Sequence, residues 1–548
     1  MHILDQLRES FAVFLHSEFS IDFALPAQLL TINVDGRRQG FGDFNSNISF
    51  ILAKILKTTP SSIALTVKQR FSHAYIASVE VAGAGFLNIT LKNEIFDQIM
   101  SAFKKEKENF FKAFASGKRK NISLEFVSAN PTGPLHLGHG RGGIVGDVLC
   151  NVLRFCGHTV TKEFYINDAG KQIVTLGRSF KIRCQQLAGI EVLLDPDAYH
   201  GHYLLDLAAI CIKEYGKQVL EKSDLFFQDY AKEHMLVDIK RTLKDYGITF
   251  DVWFSEKGLH DSGQIADVIE NLKQRNCVYE QDGALWFAST KFGDDKDRVV
   301  QKTSGELTYI AADFAYLQNK IMRGYDELII VLGHDHHSYA TRLQGGLKAL
   351  DLVNTPLFVI LYQLVSIKEG QETVRMSKRA NKMVTLADIV ETVGRDIARF
   401  FYLNRKVDAQ LEFDIDLALK KTDENPVFYI QYAFVRTNGI LANVAGLEFV
   451  CEPQFSSSLM DDDERFLIKK IISIVPLLCD ISEHHQTHLL AYYAYELAQA
   501  FNQYYHTHKV LDPANPVLSR HRMSLILMTN SSLKLILTLL GLSCPERM

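Results

Sequence analysis

The run Glu125-Phe-Val-Ser-Ala-Asn130-Pro-Thr-Gly-Pro-Leu-His136-Leu-Gly138-His139-Gly-Arg141-Gly-Gly143 decides the fold. The β-prone residues Asn121–Val127 lead into it, and Pro131, Gly133 and Pro134 break the chain. A small-residue, amphipathic pattern then predicts a helix from about Gly138 to Cys156. Strand, Gly/Pro loop, helix is the opening βα unit of an α/β nucleotide-binding sheet. In such a unit the helix start aims unpaired N–H groups and its positive dipole end at whatever lies above the sheet. Gly133 and Gly138 predict that a ligand approaches the backbone closely, and His136 and His139 add two imidazoles on that side. The combination suits a phosphoryl group gathering charge in transfer. For this run alone, the competing reading is an ordinary loop whose histidines satisfy backbone carbonyls.

Further along, Glu327–Leu332 and Leu357–Val365 are apolar, β-branched runs without alternation, the pattern of parallel strands covered on both faces. Before them lie polar helical stretches over about 199–247 and two hairpin signals. One pairs Val278–Glu280 with Ala284–Phe287; the other pairs Val299–Lys302 with Glu306–Ile310 around Thr303-Ser304-Gly305. The region 183–300 is expected to be one insertion into a sheet domain spanning 117–410. Residues 1–110 read as a separate α/β unit. It has an amphipathic start (Ile3, Leu4, Leu7, Phe11, Phe14, Leu15), a helix near Ile48–Leu56 and strands near Tyr75–Val81 and Phe86–Leu91, with Lys104–Lys120 as a linker. Residues 411–548 are helical in period, with Pro426, Pro453, Pro513, Pro516 and Pro545 at expected helix boundaries.

The 548 residues, 47% hydrophobic and 23% charged, fit roughly three to four globular domains and exclude a mainly disordered or collagen-like chain. The strongest apolar runs, Pro356–Ile367 and Leu533–Leu542, fall short of the roughly 20 residues of a membrane span, so no membrane partner is expected. Met1–Ser10 lacks the basic-then-apolar order of a secretory signal, and a cytoplasmic location is expected. Sixty Lys+Arg against 64 Asp+Glu give −4, so a polyanion would have to be held by local patches. The eight cysteines contain no C-x-x-C pair; neither zinc nor a redox motif is expected.

A second cationic element, Val374-Arg375-Met376-Ser377-Lys378-Arg379-Ala380-Asn381-Lys382, follows the last strand candidate. Four cations in eight residues on a loop suit a triphosphate, although such a cluster alone reads more simply as a solvated face. Here the chain resembles a family. His136-Leu-Gly-His139 resembles the HIGH motif, and Arg375-Met-Ser-Lys-Arg379 the KMSKS motif, of class I aminoacyl-tRNA synthetases. The whole chain is most similar to arginyl-tRNA synthetases of bacterial type. Gly42-Asp43 with Asn47, Ala82-Gly-Ala-Gly-Phe86, Tyr165-Ile-Asn-Asp168-Ala-Gly170 and Leu307-Thr-Tyr309-Ile-Ala-Ala-Asp313 carry that likeness. So do Gly333-His-Asp-His-His337, Glu424–Tyr432 and Leu540–Met548. Arg375 departs from the motif's first lysine but keeps its charge; Lys378 is retained.

The resemblance implies a Rossmann-type catalytic core with an inserted subdomain, an N-terminal α/β tRNA-binding domain and a C-terminal helical anticodon-binding bundle. It implies ATP-dependent ligation of L-arginine to tRNA(Arg) through arginyl-adenylate, by a monomer, with Mg²⁺ carried on the ATP phosphates. His136, His139, Lys378, Arg375 and Arg379 would be catalytic. Pro131, Thr132, Gly133, Pro134, Leu135, Leu137, Gly138, Met376 and Ser377 would bind ATP. Glu125, Tyr309 and Asp313 would grip the guanidinium, with Ser128, Asn130, His136 and His336 around the α-amino and carboxylate groups.

The charge pattern is consistent with such a pocket, since a planar, permanent cation needs carboxylates at fixed distance. Tyr309 and Asp313, four apart in a helical run, share a face. Rejecting analogues that lack the buried partner needs no editing site. Residues 420–548 hold 11 Lys+Arg against 13 Asp+Glu, so RNA there would be read by aromatics such as Phe428, Tyr429, Tyr432, Phe434, Tyr492–Tyr495 and Phe501–Tyr505, most of them expected in the core. Two alternatives are weaker. A cysteinyl-type synthetase would carry zinc-type cysteines, and a non-catalytic RNA-binding relative would be expected to lose His136, His139 or Lys378.

Overall fold

The computed structural model describes residues 2–22, 25, 29–35, 40–112, 119–370, 372–374, 384–443 and 452–548. Its centre is a five-stranded parallel sheet in the order Leu357–Tyr362, Glu327–Gly333, Asn121–Glu125, Thr159–Ile166, Val252–Ser255. The strand that opens the domain therefore lies in the middle, with later strands added on either side. A parallel sheet wound this way leaves a crevice at the carboxyl ends where the order reverses. The expected helix runs Leu137–Phe155 and is buried along nearly its whole length. Its glycines permit this contact: a Cβ at Gly146 would sit 2.3 Å from the Phe126 ring.

Four expectations need correction. Segment 183–300 is not one insertion, because Val252–Ser255 returns to the central sheet beside Thr159–Ile166. It is two excursions. The helices Lys171–Leu187, Tyr203–Tyr215 and Asp224–Asp245 enclose one small core, and the sheet Val278–Gln281, Ala284–Phe287, Arg298–Gln301 with Gln264–Gln274 encloses another. The second hairpin keeps only its first arm: Gln301 bridges Leu307, and at Tyr309 the chain becomes the helix Tyr309–Met322. Leu357–Val365 splits. Leu357–Tyr362 is an edge strand with Phe358 exposed, whereas Val365–Glu369 leaves for a small sheet with Glu372–Val374 and Leu411–Asp414. Lys104–Lys120 is helical to Glu106 and then a 3-10 turn that buries Phe110 and Phe111, so the described part is packed structure.

The N-terminal unit is a four-stranded antiparallel sheet, Thr31–Ile32, Phe44–Ser46, Phe86–Leu91, Ile76–Ala82, backed by helices. Leu4, Leu7, Phe11 and Leu15 seat the first helix, at the 3–4 spacing of one apolar stripe. The C-terminal unit is a bundle of Pro426–Asn443, Asp462–Ile472, Ile474–His484, His488–Thr507 and Pro516–Leu540. Pro516–Leu540 extends the apolar run Leu533–Leu542 to a 25-residue helix, long and apolar enough to cross a membrane, but most of it is buried in the bundle. Arg399 donates to Leu540 O, and Gln431 to Ser543 O and Asp396, so the C-terminal segment is tied to the sheet domain.

Candidate active site

The loop after the central strand is strained. Val127 and Ser128 have φ of 66° and 39°, a left-handed conformation that costs a β-branched residue dearly. The Ser128 hydroxyl holds the turn by donating to Glu125 Oε1 over 3.0 Å and accepting from Tyr165 N over 3.1 Å. Eight residues on, at His136, the helix caps itself. His136 Nδ1 accepts from Gly138 N, and His139 Nδ1 accepts from His136 N, a reciprocal capping box made of two imidazoles. A nitrogen that accepts carries no proton, so each neutral ring has its proton on Nε2. Burial lowers His136; burial, and then the neighbouring ring, take His139 down to about 3. The helix end thus presents fewer unpaired backbone N–H groups than expected and two neutral imidazoles in their place. Gly133 and Gly138 also face protein: a Cβ would meet Tyr203 at 3.3 Å and the His136 ring at 3.0 Å respectively.

Beside the imidazoles lies a cavity of about 440 Å³ at the carboxyl ends of the strands. Glu125, Ser128, Asn130, His136, His139, Tyr309, Asp313 and His336 all line it, together with Tyr165, Glu256, Tyr339 and Arg342. Asp313 accepts from the Tyr339 hydroxyl over 2.6 Å; burial, and then Glu256 and Glu125, push its carboxyl up to about 7. Glu256, 5% exposed, opens the short helix Glu256–Asp261. Asp168 pins that start, accepting from the Ser255 hydroxyl and Lys257 N. Burial raises the Glu256 carboxyl as well. Tyr309 stands at the rim, 58% exposed, and His336 is also on the outer side.

Glu125 differs from these two carboxylates. Lys320 Nζ, fully buried, donates to its Oε2 over 2.5 Å, and Ser128 holds Oε1, so both oxygens are already bonded within the protein. Behind it, Glu163 takes a two-pronged contact from Arg323 and a bond from the Tyr316 hydroxyl. Among the described residues no group of three or more His, Cys, Asp or Glu is placed to hold a metal ion.

Three family models match end to end. They are the arginyl tRNA synthetase N terminal domain over 5–91, the tRNA synthetases class I (R) catalytic domain over 98–409, and the DALR anticodon binding domain over 430–548. The arginine–tRNA ligase 1 of Halalkalibacterium halodurans is 38% identical, covering 99% of this chain and 98% of that protein. The arginine–tRNA ligase of Moorella thermoacetica is 40% identical, covering 93% of each. This chain belongs to the arginyl-tRNA synthetase family. The solved Thermus thermophilus arginyl-tRNA synthetase, 20% identical, superposes with a TM-score of 0.75 over 99% of this chain and shares its fold.

Against that family, the structure brings together the side chains expected around the amino acid but few of those expected around ATP. Pro131, Thr132, Gly133, Pro134, Leu135, Leu137 and Gly138 do not line the cavity, and Leu135 and Leu137 are core residues. Arg375, Met376, Ser377, Lys378 and Arg379 lie outside the described residues. The chain that follows them is placed, however. Thr385 bridges His136, and Leu386 N donates to Leu135 O over 2.7 Å, so it re-enters directly against the imidazole pair. Sequence reasoning missed Glu256, Lys320, Glu163 and Tyr316. One signal was available: Tyr309, Asp313, Tyr316 and Lys320 are spaced four, three and four, one face of a helix.

Proposed function

We propose that this cavity is the amino-acid subsite of an ATP-dependent arginine–tRNA ligase. In this reading Asp313 and Glu256 take the guanidinium, Tyr309 closes over it, and Ser128, Asn130 and His336 lie toward the α-amino and carboxylate groups. One observation carries it: two carboxylates, Glu256 buried and Asp313 half-buried, each with a tyrosine beside it, line one cavity next to the His136–His139 pair. Paired carboxylates at fixed separation suit a planar fork of N–H donors and leave a singly charged ammonium underused.

The chain charges tRNA(Arg) with arginine in two steps. The substrate carboxylate attacks the α-phosphorus, its O–P bond forming as the bond to pyrophosphate breaks. The tRNA terminal hydroxyl then displaces AMP. A carboxylate is already nucleophilic, so the protein supplies alignment and charge neutralisation and no general base. His136 and His139 donate Nε2–H to the α-phosphate side; Lys378, with Arg375 and Arg379, offsets the leaving pyrophosphate. The backbone of Pro131–Gly138, with Met376 and Ser377, borders the nucleotide. Mg²⁺ would be held by ATP phosphate oxygens.

The bundle is read as the anticodon module, where Tyr432, Tyr492 and Tyr495 are exposed while Phe434, Tyr493, Phe501 and Tyr504 are core. The N-terminal unit is read as a further tRNA contact, and the enzyme as a cytoplasmic monomer. ATP–pyrophosphate exchange across the twenty amino acids, with and without tRNA, is the test. Exchange with arginine alone, dependent on tRNA, is expected; exchange with cysteine or none at all overturns the reading.

A further inference from the structure

The run Tyr165-Ile-Asn167-Asp168-Ala-Gly170 brings two kinds of side chain to the end of its strand. Tyr165 and Asn167 line the cavity, whereas Asp168, half-buried, stands outside its walls. The Asp168 oxygens close instead on the two residues that flank Glu256. Oδ2 accepts from the Ser255 hydroxyl over 2.7 Å, and Oδ1 from Lys257 N over 3.0 Å. The same Ser255 oxygen accepts from Gly258 N over 3.3 Å and so caps the helix Glu256–Asp261. One hydroxyl thus joins that helix start to a carboxylate 87 residues earlier in the chain.

Backbone pairing by itself gives this junction little rigidity. Val252–Ser255 is a four-residue strand at the edge of the sheet, and its last residue pairs with Ile166, two before Asp168. The helix that follows has six residues, under two turns, and a helix so short does not hold its direction alone. Glu256 is its first residue. The Glu256 carboxylate bonds the Tyr165 hydroxyl and stands 3.8 Å from His260 Nε2. Those contacts turn the carboxylate; Asp168 fixes the backbone that carries it. Burial raises the Glu256 carboxyl and the Asp168 charge raises it further, so what Asp168 contributes to Glu256 is geometry and not ionisation. A planar fork of donors needs its carboxylates at a fixed separation, which a loose Glu256 would not keep from Asp313. We propose that Asp168 is a positioning residue for arginine recognition, locking the strand-to-helix junction so that Glu256 faces the guanidinium in register with Asp313. This rests on the reading of the cavity as the arginine subsite.

The test uses the full-length enzyme in tRNA-supported pyrophosphate exchange, with Asp168→Ala, Asp168→Asn, Glu256→Gln and the Asp168→Ala, Glu256→Gln double variant. Asp168→Ala should raise the arginine KM by about tenfold, with the ATP KM within about threefold. In the Glu256→Gln background the same change should add less than about threefold, because the group it aims has already lost its charge. Asp168→Asn keeps the side-chain volume and an oxygen for Lys257 N, so its arginine KM should stay within about threefold of native. An Asp168 that only stabilised the fold would lower the melting temperature and the active fraction and leave the arginine KM unmoved. Native arginine KM in folded Asp168→Ala, or a full additive loss in the double variant, overturns the proposal. So does an Asp168→Asn loss equal to that of Asp168→Ala, which would mean that Asp168 acts through its charge. Should Asp168→Ala fail to fold, Ser255→Ala removes one of the two ties. It should raise the arginine KM by about threefold in the native background and not in Glu256→Gln; no rise in the native background overturns the proposal. If Asp313→Asn and Glu256→Gln both leave the arginine KM unmoved, the subsite assignment itself fails, whatever Asp168 does.

Discussion

The imidazole rings of His136 and His139 stack with centroids 3.6 Å apart and planes 22° apart, each holding a backbone N–H on Nδ1. Both are neutral at physiological pH, so they offer a phosphate hydrogen bonds and not positive charge. His139→Ala removes one such donor and the cap on His136 N. Its kcat in pyrophosphate exchange should fall by about 10²–10³ while arginine KM stays within about threefold. The same pair makes a stability prediction. An unfolded imidazole titrates near 6.5, about the ordinary value, whereas folded His139 titrates at about 3. Between those values the unfolded chain binds more protons, so this contribution is intact above about 6.5 and is lost as pH falls toward 3. Over that window the denaturation midpoint should fall more steeply for the native protein than for His139→Ala; parallel slopes would sink the idea.

Asp313 predicts a pH dependence of opposite origin. Burial, reinforced by Glu256 and Glu125, raises its carboxyl to about 7, with Tyr339 and Arg342 pulling the other way. The empty cavity therefore holds a proton near neutrality, and a guanidinium, which stays charged, favours the ionised form. Arginine KM should fall by about tenfold from pH 6 to pH 8. Calorimetry in buffers of different ionisation enthalpy should register proton release on arginine binding near pH 7. Asp313→Asn should abolish both effects; a KM flat across that range in the native enzyme would remove Asp313 from the binding step.

The opening βα unit was legible because strand, Gly/Pro break and small-residue helix leave three different local patterns in Asn121–Phe155. The cavity's second carboxylate was not. Glu256 follows Val252–Ser255, a four-residue strand that is half-buried at every position, so neither alternation nor an apolar run marks it. Taking 183–300 as one insertion then hid the rule that ligands gather at strand carboxyl ends. The pairing of Glu125 with Lys320 spans 195 residues, and no local pattern tells which buried carboxylate will find its counter-ion inside the chain. Gly133 and Gly138 misled for a related reason: a glycine reports that something comes close, and here Tyr203 and the His136 ring do.

In the proposed mechanism Lys378 follows a different logic from the cavity residues, since its charge would be needed only as pyrophosphate leaves. Lys378→Ala should lower kcat by about 10²-fold or more and change arginine KM little, the pattern of an interaction made in the transition state alone. Rapid-quench measurement of adenylate formation separates this from slow product release. Equal losses in kcat and in arginine affinity would show that the loop serves amino-acid binding instead.

The last prediction concerns how the outer units are held together. Asp43, from the Gly42-Asp43 pair noted in the sequence, is 2% exposed and accepts from Arg465 Nε over 2.8 Å, from a second Arg465 nitrogen, and from Leu91 N. Lys469 Nζ stands 3.4 Å away. One buried carboxylate thus joins the N-terminal sheet to the C-terminal bundle, and deleting it takes the counter-charge from Arg465, which keeps only Asn93 and Leu91 O, and from Lys469, which keeps Gly42 O. Asp43→Ala should cost about 3–5 kcal/mol in denaturant unfolding, well beyond a surface ion pair. If these units grip one tRNA together, the tRNA KM should rise while the arginine KM, set in the proposed subsite, stays near native. A loss below about 1 kcal/mol would mean the contact is solvent-screened and the two units are held by their apolar packing alone.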